Sequence, residues 1–182
     1  MPFMREVQLH RGLVERVLNG DEPARANMQR TAAAADAALA SINEMDSRWG
    51  SDFETKELVA FLNTEWPKAR DNATSTQDSS ALHNSVIQQG VFPLITTIAT
   101  ESKLVLDPDL DNRSVIIALT ESLPRMTEAL SQMRIQGTGA LVARRNMAPT
   151  QETRQFLAGQ SALAEFEAQQ LRSQLEPAMA HT

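Results

Sequence analysis

The chain has 182 residues, 42% of them apolar, a formal net charge of −6 and a sequence pI near 5.1. That length and apolar content suit one domain with a real core, spanning residues 1–182, while the absence of cysteine excludes disulfides and thiolate metal sites. The acidic balance repels phosphate backbones, and with no tyrosine and few aromatics there is little surface on which bases could stack, so nucleic acid is excluded as a partner. No apolar run approaches the roughly 20 residues of a membrane span. The N-terminus also lacks a basic and apolar leader, so the chain as it stands is expected to be soluble.

Six helical segments are predicted from the three-four spacing of apolar residues. The first runs from about Pro2 to Leu18, with Phe3, Val7, Val14 and Val17 on one stripe, and stops at Asn19-Gly20-Asp21. The second, from about Pro23 to Arg48, repeats the spacing through Met28, Thr31, Ala35, Ala38, Ile42 and Met45. Ser51 and Glu54 have capping-box spacing and open a short third helix carrying Leu58, Leu62 and Trp66, which ends before Pro67. The polar run from Asp71 to Ser80 reads as an exposed loop.

The fourth segment, about Ala81 to Lys103, places Ile87, Val91, Leu94 and Ile98 together, and Pro93 should bend it. The fifth, about Asn112 to Asn146, carries the longest seam: Ile116, Leu119, Leu123, Met126, Leu130, Met133, Gly137 and Ala140 follow at alternating steps of three and four. Pro124 should kink it. The sixth, about Thr150 to Ala180, turns Phe156, Leu163, Phe166, Leu171 and Leu175 inward. No stretch alternates like a strand. The fold class is therefore all-α: an elongated antiparallel bundle of about six helices, whose even count puts both termini at one end, as in a loop between two membrane spans. If the Asn19 to Asp21 break is a kink rather than a reversal, the count becomes four.

Candidate chemistry is sparse. Asp107, Asp109 and Asp111 have the alternation of a calcium loop, but position six is Asn112 rather than glycine and position twelve is Ala118 rather than glutamate. Asp109 or Asp111 as a helix cap fits better. His10, His83 and His181 form no metal-binding pair at helical spacing, and there is no phosphate loop or nucleophile elbow, so no catalytic residue, metal or cofactor is expected. More informative are cations on apolar stripes. His10 lies on the Val7 to Val14 line, Arg11 on the Met4 to Leu18 line, His83 on the Ile87 line, and Arg144 continues the fifth-helix seam four residues after Ala140. Each is either a satisfied core residue, an arginine reaching solvent along its stem, or part of a shared pocket. With Arg134 added, His10, Arg11, His83, Arg134 and Arg144 are the candidate ligand-binding residues. Guanidinium forks suit carboxylates, so an acidic metabolite is the expected small-molecule ligand.

His10-Arg11-Gly12, Leu18 and Gly20-Asp21, followed by Leu106-Asp107-Pro108-Asp109-Leu110-Asp111, Leu119, Leu123-Pro124, Arg134 and Gly137, resemble in order and spacing the extracytoplasmic helical-bundle sensor domains of bacterial membrane signal transducers. The resemblance spans most of the chain, and the Leu104 to Gly137 block is its specific part. Where that family often has an aromatic pair after the last aspartate, this chain has Asn112 and Arg113, so ligand contacts made by those aromatics do not carry over. The resemblance implies the periplasmic portion of an inner-membrane protein, with flanking membrane spans outside this chain. Its output would be a histidine kinase by preference, with a chemoreceptor or diguanylate cyclase as the other members of the class. It also implies a homodimer in the full-length protein, sensing a small molecule or a periplasmic protein. The alternative is a cytosolic helical scaffold or surface-binding protein, whose amphipathic helices would look the same.

Overall fold

In the computed structural model, which describes residues 1–143 and 149–180, the chain is all-α, and no strand occurs among the described residues. The helices are α1 (Pro2–Leu18), α2 (Arg25–Trp49), α3 (Lys56–Asp71), α4 (Thr76–Ser85), α5 (Phe92–Glu101), α6 (Leu110–Ile117), α7 (Leu123–Ala143) and α8 (Gln151–Ala180). A π-helical turn, Val86–Val91, joins α4 to α5, and another, Ala118–Ser122, joins α6 to α7, so six rods result among the described residues. Where the sequence suggests one domain, the chain's contacts divide it into two compact units, Met1–Glu101 and Ser102–Thr182.

Both π turns answer the same covalent problem. Pro93 and Pro124 each sit two residues past the end of a π turn. A proline inside a helix has no N–H to donate and its ring presses on the carbonyl one turn back. Widening that turn accommodates the misfit while the rod continues. Gly90, in the first π turn, also permits close packing. A Cβ there would stand 2.4 Å from Leu62 Cδ2 on α3.

In the first unit α1 packs on α2 and α4, and α3 packs on α2 and α4. The Asn19 to Asp21 break is a reversal. Gly20 takes φ +89°, its N–H reaches the Val17 carbonyl and the Asp21 N–H reaches that of Arg16, a Schellman ending that lets α2 fold back along α1. Phe3, Val7, Leu62, Trp66, Val86 and Ile87 build the centre of the core.

Three boundaries differ from the sequence reading. The capping box is not Ser51 with Glu54, since that segment is a turn in which Glu54 takes φ +52° and α3 begins only at Lys56. The working cap is Ser75, inside the supposed loop, with Asp78 reaching back to Thr74. Ser75 Oγ accepts from the Asp78 N–H at 3.1 Å, and Asp78 Oδ2 accepts from the Thr74 N–H at 3.1 Å, so α4 starts at Thr76. Pro67 does not stop α3, which runs on to Asp71.

In the second unit α7 and α6 both pack on α8. Asp109 caps α6, its Oδ1 accepting from the Asp111 N–H at 2.9 Å. Here the expected seam is only partly covered: Ile116, Leu123, Met126, Met133 and Gly137 are half-buried, and the side chain of Ala140 lies outside the description. Leu119 and Leu130 are 56% and 48% exposed, whereas Ala118, Ser122, Ala129 and Ile135 are buried. Phe156, Leu163 and Phe166 on α8, also expected inside, are exposed, and Ala164 and Glu167 are buried instead. Two rods share one line of contact, small residues let them approach closely along it, and a second apolar stripe is left uncovered.

Candidate functional site

The first unit encloses a polar centre built on α1. Phe3, Val7, His10 and Val14 follow at helical spacing, and the neighbouring line is Met4, Gln8, Arg11 and Glu15. Members of both lines are buried. Three of the five expected site residues meet here: His10, Arg11 and His83, all essentially inaccessible to solvent.

His83 Nδ1 lies 2.7 Å from the carbonyl oxygen of Ser79, one turn earlier on α4. A carbonyl only accepts, so Nδ1 carries the proton and His83 Nε2 is left as an acceptor. His10 Nδ1 is 2.9 Å from that Nε2 and therefore donates to it. Both imidazoles are neutral in this arrangement. Burial pushes their pKa values down, for His10 to about 4, although Asp71 pulls the other way, and for His83 to about 3, against the Ser79 carbonyl.

Trp66 on α3 holds the pair in place. Its ring meets His10 edge-on at 5.2 Å, His83 at 6.3 Å and Phe3 at 5.9 Å between centroids. Its Nε1 donates to Asp36 Oδ1 at 2.6 Å, and Asp36 also accepts from Arg70 at 2.9 Å, so the indole is fixed at both its apolar and its polar ends. Beside the imidazoles, Arg11 Nη1 donates to Asn84 Oδ1 at 2.6 Å. One turn along α1, Glu15 is also buried, and its Oε1 has no hydrogen-bond partner. Burial raises the Glu15 pKa to about 7, with Arg11 opposing.

Arg134 is not part of this cluster, being an exposed residue of α7 in the second unit. Arg144 lies outside the described residues. Sequence reasoning missed Trp66, Ser79, Asn84 and Glu15 as site residues. Ser79 and Glu15 were within reach of it, because each sits four residues from a flagged one on the same helix face. Among the described residues no group of three or more His, Asp or Glu side chains is placed to hold a metal ion. The arrangement contains a buried guanidinium, an under-bonded carboxyl and two uncharged imidazoles, and the Ser79 hydroxyl lies 3.4 Å from His83 Nδ1, whose proton is directed to the Ser79 carbonyl.

No protein-family model, curated protein or solved structure matches this chain.

Proposed function

We propose that the chain is a non-catalytic sensing region of a bacterial transmembrane signal transducer, with a histidine kinase as the preferred output. The observation that supports this reading is the buried polar centre formed by His10 and Arg11, the first residues of the resembling pattern, with His83, Asn84 and Glu15. Burying an under-bonded carboxyl beside a guanidinium costs stability, and a passive spacer has no need of it. On this reading the chain is the periplasmic portion of an inner-membrane protein, with flanking membrane spans outside this chain. A ligand or partner protein shifts one helix against another, and the π turns ahead of Pro93 and Pro124 are places where a rod can change register. The full-length protein pairs with itself through the concentrating effect of its anchors.

The test is the coding sequence on either side together with a thermal-shift panel of small carboxylates. Apolar spans of roughly 20 residues on both sides, leading into an output module, support the sensor. A reading frame with neither span removes it. A carboxylate that raises Tm in the native chain but not in Arg11→Gln identifies the polar centre as the site, and a flat panel moves the ligand assignment to a protein or neutral solute.

One observation favours the second reading, a scaffold that binds a partner or an apolar surface: the exposed apolar side chains Leu119 and Leu130 on one rod and Phe156, Leu163 and Phe166 on α8. Saturable adsorption of the chain to a neutral oil–water interface, lost in Leu130→Glu with Phe166→Glu, would favour it.

A further inference from the structure

The first unit holds a second concavity, unrelated to the charged residues flagged in the sequence. Between the start of α1, the second half of α2, the turn before α3, and α5 lies a cavity of about 430 Å³. That is within the roughly 300–1,000 Å³ usual for small-molecule sites. Phe3, Ala38, Ile42, Phe53 and Leu94 are among its lining residues, and Met45 and Trp49, 65% and 54% exposed, are large apolar side chains that also line it.

Asp46 is the one charged side chain that lines it. Its Oδ1 accepts from Thr55 Oγ1 at 2.6 Å, which fixes the carboxylate at the end of α2. Gly50 is part of the same feature. A Cβ there would fall 2.3 Å from Asp46 Oδ1, so this close approach requires glycine. Besides Asp46 the lining is mostly apolar, with Ser41, Thr55 and the terminal residue Met1 as the other polar members, and the fixed carboxylate disfavours anionic amphiphiles and favours an apolar body that carries a cation, which the neighbouring indole also attracts.

We infer that this cavity is a binding site for an apolar small molecule bearing a positive charge or none, and that Asp46 rejects apolar anions. The inference stands apart from the polar centre and does not rest on the sensor reading. The two sites nevertheless share a residue neighbourhood: Phe3 lines the cavity and touches Trp66, which touches both imidazoles. Occupancy would therefore press on the side chain that holds the histidine pair.

Three ten-carbon probes test it below their micelle-forming concentrations: decyltrimethylammonium, 1-decanol and decanoate. Binding is read by the fluorescence of Trp49, with Trp49→Phe identifying the responding indole. The expected result is saturable binding of the cation and the alcohol at least tenfold tighter than that of decanoate. Asp46→Asn keeps the bond from Thr55 and should bring the cation and the anion to within about threefold of each other while leaving 1-decanol unchanged. Ser41→Trp, at an exposed lining position, should weaken all three with the helical circular dichroism intact. No saturable binding, decanoate equal to or tighter than the cation, or indifference to both Asp46→Asn and Ser41→Trp would each overturn the inference.

Discussion

The two units use the same kind of sequence to opposite ends. In Met1–Glu101 most of each three-four stripe is covered, Met45 and Ile98 excepted, and large side chains such as Trp66, Leu62 and Ile87 are wholly buried. In Ser102–Thr182 the buried positions are mostly small or polar, including Ala118, Ser122, Ala129, Glu128 and Ala164, and the large apolar side chains Leu119, Leu130 and Phe166 face solvent. Four rods packed on one another can enclose a stripe on each. Two rods cannot. Periodicity therefore reports which residues share a face, and the number of neighbouring rods decides which face is covered.

The sharpest way to break this contrast is a matched pair of truncations. Leu62→Ala, at a fully buried position under Gly90, should lose about 2–5 kcal/mol in urea unfolding followed by circular dichroism. A loss below about 1 kcal/mol would mean that the first unit's core is loose.

Next in size is the response to acid. His10 and His83 bind protons less readily in the folded chain than their ordinary value of 6.5, at about 4 and about 3. As pH falls below 6.5 the unfolded chain takes up protons that the folded imidazoles refuse, so folding free energy is lost, on the order of 3 kcal/mol per histidine by pH 3–4. His83→Asn should flatten the fall between pH 6.5 and 4.5. An unchanged profile would place the imidazoles in water.

Glu15 runs the other way. Its folded pKa, about 7, lies above the ordinary 4.5, so its contribution is intact at pH 4.5 and is lost as pH rises through 7. Glu15→Gln should therefore stabilise the chain by about 1–2 kcal/mol at pH 8 and by nothing measurable at pH 5. Equal effects at both values would contradict a buried, under-bonded carboxyl.

The smallest effect belongs to the second unit. Leu130→Ala, at a site that the heptad spacing alone marks as core, should change stability by less than about 0.5–1 kcal/mol, because the side chain is about half exposed. A loss matching that of Leu62→Ala would restore the seam to the interior.

The rods themselves were legible in the sequence because apolar spacing and proline placement act locally. The start of α4 was missed at Ser75, though Ser75-x-x-Asp78 follows the rule that was applied to Ser51 and Glu54. What separated the two was Glu54's left-handed backbone, which no residue pattern announces. His10, Arg11 and His83 stood out as polar groups on apolar lines, and the fold brings these three together. Trp66 read as plain core, since its ring partners come from α1 and α4 and none from its own helix. The cavity beside Trp49 had no signature at all, because an unfilled volume depends on how helices splay and not on which residues each one carries.

The state of the histidine pair can be read directly by nitrogen-15 correlation spectroscopy of the imidazole rings during a pH titration. Both rings should stay neutral from pH 8 down to pH 5, with the proton on Nδ1 in each and His83 Nε2 in the shift range of an acceptor. A His10 or His83 that titrates near 6.5, or a His83 protonated on Nε2, would contradict the buried, uncharged polar centre on which the first unit is built.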